Sequence, residues 1–526
     1  MDCYVSDVLV LGSGIAGGIT ALQLADAGVD VLLVTRSRDS ANSNTYFAQG
    51  GIIYRGRKDS PELLEQDILR AGAGLTNKAA ALILAAEGPE LVERLLIDRL
   101  AISFDKDSRG KLALSLEGGH SLPRIIHSTD ATGKAIESRL IRALEDHPNV
   151  KLLSGYTAVD LLTPSHHSRQ LLARYQPESC CGSYLFNRET QRVVRALARK
   201  TVLATGGLGQ IFLRSSNPPG ARGDGLAMAQ RAGARIINAE FVQFHPTTLY
   251  REHGPLFLIS EAVRGAGAKL VDENGTPFME KYAPDWKDLA PRDVVARSIL
   301  QEMLTRKRTN MFLDIHSHMP AERIRELFPN IFEHCLAAGV DITREPIPVV
   351  PAAHYFCGGV WTDDWGQTTL RHLYAVGEVA CTGLHGANRL ASTSLLEGLV
   401  WGNRVAQHAL KGLTHTAAPQ PEQIPPWEDT GTEQPDPALI QQDMNVIKHI
   451  MWNYVGLVRT TRRLDRAIRE LHHLELEIEH FYRISRLTDD LIGLRNAVQA
   501  GLIIAHSAWK NKSSIGCHFR SSSQLK

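Results

Sequence analysis

Two histidines and two arginines sit in segments whose composition suits chemistry on a small dianion. His245 lies in Phe241-Val242-Gln243-Phe244-His245-Pro246-Thr247-Thr248, and His354 follows Ala353 shortly before Gly358-Gly359. Arg292 lies in Pro291-Arg292-Asp293, and Arg389 in Gly386-Ala387-Asn388-Arg389-Leu390. A dicarboxylate needs two anion clamps. Arg offers a planar fork that grips a carboxylate at two points, and His donates a hydrogen bond with or without full charge. Taken singly, none carries that reading. A lone His among apolar residues is ordinarily a core or loop residue, and a lone Arg a solvated one.

A second chemical signal is glycine-rich. Gly12-Ser13-Gly14-Ile15-Ala16-Gly17 matches the G-x-G-x-x-G pattern. It follows the apolar run Asp7 to Leu11 and opens an Ala/Leu-rich helix to about Ala27, the context that a dinucleotide turn requires. Glycines let the backbone approach a pyrophosphate, and the helix N-terminus supplies free N–H groups and partial positive charge. One feature departs from the pattern. The second strand, Val31 to Val34, should end in Asp or Glu for a ribose hydroxyl, yet Thr35, Arg36 and Ser37 follow it.

The elements that position these residues are α/β in type. Strands at Asp7 to Leu11, Thr201 to Ala204 and Leu373 to Val376 each run into a glycine-containing turn, so distant pieces are expected to share one parallel sheet. The expected division is a discontinuous dinucleotide-binding domain at 1–239 and 354–413, an inserted cap at 240–353, a Pro-rich linker at 414–437 and a helical domain at 438–510. In the last, Ile440, Met444, Ile447, Met451, Val455 and Val458 recur at helical spacing, as do Leu487, Leu491, Leu494, Val498, Leu502 and Ala505. These stripes read as core packing and docking rather than a partner surface. The last dozen residues read as polar and frayed.

Composition excludes several classes. Lys plus Arg is 58 and Asp plus Glu 57, a near-zero balance that argues against charge-driven nucleic-acid or membrane binding. The seven cysteines form no Cys-x-x-Cys pair, so no zinc or iron–sulfur ligand set is visible. Vicinal Cys180-Cys181 is a redox pair or, more plainly, part of a loop. No stretch approaches the roughly 20 apolar residues of a membrane span, and no secretory signal is seen, so a cytoplasmic location is expected.

Several segments resemble one superfamily. Ser43-Asn44-Thr45-Tyr46-Phe47-Ala48-Gln49-Gly50-Gly51 resembles the flavin-contacting loop of the succinate dehydrogenase and fumarate reductase flavoproteins. Ala204-Thr205-Gly206-Gly207 and Gly223-Asp224-Gly225 resemble further FAD contacts there, and Leu373 to Glu378 resembles the second dinucleotide strand, whose acid faces the FAD. A helix starting near Ser392 to Leu396 would aim its amides at negative charge on a reduced flavin. The likeness covers about residues 7 to 410. It implies FAD held by Gly12, Ser13, Gly14, Ala16, Gly17, Arg36, Asn44, Thr45, Ala48, Gln49, Gly50, Gly51, Asp224, Glu378, Ser394 and Leu395. Members with covalent flavin carry a histidine where Asn44 stands, so non-covalent FAD is expected.

The resemblance also assigns roles at the substrate. His245 and His354 match two substrate-binding histidines and Arg389 an arginine that grips one carboxylate. Arg292 matches the arginine that moves a carbon-bound proton, Ser260 a hydroxyl that helps hold a carboxylate, and Gln243 lies beside His245 as a further substrate contact. Leu116-Glu117-Gly118-Gly119-His120-Ser121, with Arg124 to His127 and Asp130 to Gly133, is similar to the aspartate oxidase branch, where the matching Glu faces the substrate ammonium. Ser260 stands where many aspartate oxidases have Thr, residues 163–197 match no known motif, and Ser514 to Phe519 only loosely resembles that branch's ending.

The fold implied is an FAD-binding Rossmann-like domain with an inserted α+β cap and a C-terminal helical bundle. The implied activity is oxidation of L-aspartate to iminoaspartate, with O2 or fumarate as acceptor, at the head of de novo NAD synthesis and with quinolinate synthase downstream. The alternatives are a soluble fumarate reductase or succinate dehydrogenase flavoprotein, which Glu117 and Asn44 disfavour, and a flavin-binding protein without dehydrogenase activity, which the full His/Arg set disfavours.

Overall fold

The apolar run Cys3–Leu11 has buried side chains on both faces at its end, as a central parallel strand must. In the computed structural model, which describes residues 2–252, 256–429 and 431–521, it forms the middle of a seven-stranded sheet. It pairs in parallel with Val31–Thr35 on one side and Arg192–Leu203 on the other. Leu373–Ala375 adds in parallel to Arg192–Leu203, and Val150–Ser154 extends the opposite edge. Leu11 lies opposite both Val34 and Leu203, and Leu203 opposite Ala375. Four strand ends therefore stand level, and the turns after them converge on one rim of the sheet.

Two local expectations change. The strand expected at Thr201 to Ala204 runs Arg192–Leu203 and leaves Ala204 to the glycine turn. Segment 163–197, without a recognisable motif, supplies Gly182–Asn187, which joins Tyr156–Leu162 and Arg192–Leu203 as an antiparallel flap on the same sheet. Cys180 and Cys181 are free thiols buried at its entry. Burial pushes both up, so they are packing residues, not a reactive pair.

The inserted unit is a five-stranded antiparallel sheet, in the order Phe257–Leu258, Val242–Leu249, Ile347–Phe356, Met311–Asp314, Lys269–Val271. Helix Arg292–Arg306 packs on it through Val295, Ile299 and Met303. The expected division at 353/354 falls inside the strand Ile347–Phe356. That strand's ladder with Val242–Leu249 is irregular at two points. Gln243 pairs with Tyr355 and Phe244 with Ala353, so His354 is the extra, unpaired residue. His245 pairs with Ala352 and Thr248 with Val350, so Pro246, which has no N–H to donate, lies in a second irregularity. Bulges re-aim side chains, and both histidines sit at one.

Helices Pro437–Val455, Thr461–Ile484 and Asp489–Lys510 are capped by Asp436, Thr460 and Thr488, whose side chains accept from backbone N–H groups of the first turn. Their stripes, including Ile447, Met451, Leu471, Leu494 and Val498, join one core cluster with Phe212, Met228 and Phe244 of the body. The frayed ending is a misreading as far as residue 521. His518 is fully buried and its Nδ1 accepts from Arg459 Nη1 at 2.6 Å, while Cys517 N donates to Ala387 O at 2.9 Å. Residues 522–526 of that expectation lie outside the described residues. Among the described residues no helix is long and apolar enough to cross a membrane.

Candidate active site

One cleft follows the rim of the large sheet and ends under the cap. It is lined by Gly12, Ser13, Gly14, Ala16, Arg36, Asn44, Thr45, Ala48, Gln49, Gly50, Gly51, Asp224, Glu378, Ser394 and Leu395, and at its far end by Glu117, His245, Ser260, Arg292, His354 and Arg389. Gly17 and Gln243 do not line it. A Cβ on Gly17 would stand 2.0 Å from the Gly12 carbonyl oxygen, so this glycine seats the helix against the turn. Gln243 lies fully buried behind the wall.

The long arm of the cleft fits a dinucleotide. Gly12 has φ +117°, and a Cβ there would meet Ala204 O at 2.1 Å, so only glycine serves this close crossing. Buried polar atoms without a partner face the same arm: Asn44 Oδ1, Gln49 Oε1 and Thr205 Oγ1. Orphaned donors and acceptors of this kind call for a polar ligand. Asn44 Nδ2 donates to Glu378 Oε2 at 2.8 Å, and Phe356 N donates to Glu378 Oε1 at 2.9 Å. Burial still pushes the Glu378 carboxyl up to about 7. Helix Thr393–Leu413 points its N-terminus at the cleft. Its N-cap, Ser392, is left-handed at φ 54° and makes no capping bond, so the first amides stay available.

The far end is a buried basic pocket with neutral histidines. Arg389 Nη1 donates to Ser394 Oγ at 3.1 Å and Nη2 to His354 Nε2 at 3.1 Å, while its guanidinium stands 4.5 Å over the Tyr355 ring. Its Nε is buried and unpartnered. Accepting at Nε2 makes His354 the tautomer protonated at Nδ1, which donates to Ser216 Oγ at 2.8 Å. Burial, then Arg389 and Arg292, hold His354 well below the usual imidazole range. His245, its ring centroid 5.1 Å from that of His354, is held low by burial, Arg292 and His354. Arg292 opens its helix. Its Nε donates to Glu261 Oε2 at 2.7 Å and its Nη1 to Gln243 Oε1 at 3.3 Å. Gln243 Nε2 in turn donates to Arg389 O at 2.8 Å, so this residue ties the two arginines together. Ser260 caps the short helix Glu261–Gly265.

Among the described residues, Glu117 is the pocket carboxylate that no arginine neutralises, whereas Glu261 is paired with Arg292. Its Oε2 accepts from Ser392 Oγ at 2.6 Å and its Oε1 lies 3.2 Å from His127 Nε2. Burial would raise its pKa, but His127 and Ser392 outweigh that and set it at about 2. It is therefore ionised at neutral pH. Its loop is anchored by fully buried Arg124, ion-paired to Asp59 at 3.1 Å and Asp67 at 2.9 Å. Asp67 also accepts from Ser121 N and Oγ, both at 2.8 Å.

Glu261, Tyr355, Ser392, His127 and Ser216 carry side-chain roles that the sequence did not assign. Glu261 directly follows Ser260, and Tyr355 follows His354, so proximity was the available signal. Ser216 and Ser392 act through tertiary contacts that leave no local pattern. Among the described residues no group of His, Cys, Asp and Glu is arranged to hold a metal ion.

Comparison with known proteins agrees with this geometry. Residues 7–395 match the family described as FAD binding domain, and residues 444–525 match fumarate reductase flavoprotein C-term. L-aspartate oxidase 1 of Ralstonia nicotianae is 45% identical over 517 residues, covering 98% of this chain and 94% of its own length. The L-aspartate oxidase of Yersinia pestis is 41% identical over 521 residues, covering 98% and 96%. Among solved structures, an E. coli quinol fumarate reductase chain superposes with a TM-score of 0.88 at 26% identity, covering 99% of this chain and 92% of that one.

Proposed function

The chain belongs to the L-aspartate oxidase family, an FAD-dependent branch of the fumarate reductase flavoproteins, and on that premise we propose how its own residues act on L-aspartate. The observation that carries the reading is Glu117, a buried, ionised carboxylate with no arginine partner among the described residues, in a pocket whose other acid, Glu261, is already paired with Arg292. L-aspartate brings two carboxylates and one ammonium. Arg389, steadied by His354 Nε2, takes one carboxylate. His245 and Ser260 take the other beside Arg292, and Glu117 takes the ammonium, a complementary charge pattern. Succinate would leave Glu117 buried without a cation, which is costly.

FAD, held without a covalent bond in the long arm, supplies the two-electron acceptor. Neutral His354 steadies the Arg389 guanidinium through Nε2, and neutral His245 faces the substrate without the cost of a buried charge. Glu117 aligns the C–N bond to be oxidised, in a pocket whose side chains are largely buried beneath the cap. Where a carbon-bound proton must leave, Arg292 gives its Nε proton to Glu261 Oε2, 2.7 Å away, as it takes up the carbon-bound one. The balanced reaction is L-aspartate plus acceptor to iminoaspartate plus reduced acceptor, with O2 giving hydrogen peroxide, or fumarate giving succinate. Iminoaspartate then feeds de novo NAD synthesis through quinolinate synthase.

The test is paired flavin bleaching without oxygen, with L-aspartate and separately with succinate. Bleaching by L-aspartate far faster than by succinate, reversed by air with peroxide release, is expected. Bleaching by succinate alone moves the chain to the dehydrogenase branch. Acid precipitation should release all the flavin into solution.

A further inference from the structure

We propose that Asp489, in the first turn of the C-terminal helix Asp489–Lys510, is a positioning residue for the adenosine end of the FAD cleft. The inference stands on the cofactor cleft alone, not on the identity of the substrate.

In a βαβ dinucleotide unit the second strand ends where the adenosine ribose is gripped, usually by an acid. Here that place holds Arg36, which lines the cleft. A cation there needs a counter-charge, and its own neighbourhood in the chain offers none that reaches it. Asp489 supplies it from 453 residues away: Arg36 Nη1 donates to Asp489 Oδ2 at 3.0 Å. Arg188 Nε lies 3.3 Å from the same oxygen. The other oxygen accepts from Arg222 Nη2 at 3.1 Å and from Thr157 Oγ1 at 2.7 Å. Arg222 also bonds Asp224 Oδ2 at 3.0 Å, and both Thr157 and Asp224 line the cleft. Three separate pieces of cleft wall, at 36, 157 and 222–224, are thus gathered on one carboxylate. That carboxylate does not itself line the cleft.

The helix is shaped for this task. A Cβ on Gly493 would stand 2.4 Å from Arg222 Cζ, so glycine lets the guanidinium lie flat on the helix. One turn further, Asn496 Nδ2 donates to Asp224 Oδ1 at 2.9 Å. A bundle docked only for stability would need apolar contacts, and it has them elsewhere. The polar node instead fixes where Arg36 sits.

The experiment is titration of the full-length apo-protein with FAD, and separately with ADP, comparing the parent with Asp489→Asn. Both dissociation constants should rise about tenfold or more, the effect of losing hydrogen bonds between charged groups. Unchanged affinity for FAD and ADP, with only a lower melting temperature of the apo-protein, overturns the proposal and leaves Asp489 as a docking contact. Should Asp489→Asn not fold, Asp489→Glu keeps the charge on a longer arm. Weakened ADP binding in that variant supports the role, and parental binding overturns it.

Discussion

Glu117→Gln removes a charge and almost no volume, and the pocket can accept it. The amide oxygen can take the hydroxyl of Ser392, now 2.6 Å from Oε2, and the amide nitrogen can face His127 Nε2, now 3.2 Å from Oε1. His127 accepts there when its proton sits on Nδ1, 3.1 Å from Ser115 Oγ. The variant should therefore fold and hold FAD. What it loses is the attraction between a buried carboxylate and the substrate ammonium. A charge-assisted contact of this kind contributes about 2–3 kcal/mol, about a 30- to 150-fold fall in kcat/KM for L-aspartate. Succinate has no ammonium, so its kcat/KM should hold or rise once the unpaired charge is gone. The assay is the rate of flavin bleaching without oxygen against each dicarboxylate. The reasoning is refuted if both substrates lose equally, or if L-aspartate is unaffected.

Three other outcomes follow from the same geometry. Arg292→Lys should slow anaerobic reaction with succinate by about 10²–10⁴, the range of a lost proton-transfer group, and slow L-aspartate oxidation less, because a C–N bond is oxidised without loss of a carbon-bound proton; equal slowing would make Arg292 a clamp alone. In the apo-protein the Glu378 carboxyl, raised to about 7, keeps a proton that the unfolded chain has shed. Its contribution to stability is present below the ordinary Glu value and lost as pH rises through about 7. The parent should therefore lose melting temperature relative to Glu378→Gln between about pH 5 and pH 8, and a gap that does not change with pH would show an ionised Glu378. Arg124→Met should destabilise the chain by about 3–5 kcal/mol by stranding Asp59 and Asp67, read as a lower thermal midpoint; an unchanged midpoint would mean the aspartates find other partners.

The cofactor turn was legible because its requirements are local. Gly12 and Gly17 are needed where backbone crosses backbone at 2.1 and 2.0 Å from an added Cβ, and a spacing of glycines records that directly. His245, His354 and Arg389 were legible only through resemblance. What aims the two histidines is a pair of irregularities in one ladder, and neither hydropathy nor period marks a bulge. Glu117 could be named, but its ionisation rests on His127, which only the folded loop brings to it, and then on Ser392, which lies 275 positions away. Gln243 was taken for a substrate contact and proves to brace two arginines, a distinction that only side-chain direction makes. The ending looked frayed because a short polar stretch has no periodicity. It is held by the buried guanidinium of Arg459, a tertiary partner with no trace in the local pattern.

Ser392 carries two duties in one residue. Its left-handed backbone leaves the amides of helix Thr393–Leu413 uncapped, and its hydroxyl, so diverted, fixes Glu117. Glycine apart, an evolutionary step at this position alters substrate choice and flavin environment together. Glycine would keep the backbone and lose the hydroxyl; most other residues would strain the backbone. Selection for a new dicarboxylate would therefore have one narrow route through this position, glycine, and otherwise begin elsewhere in the pocket.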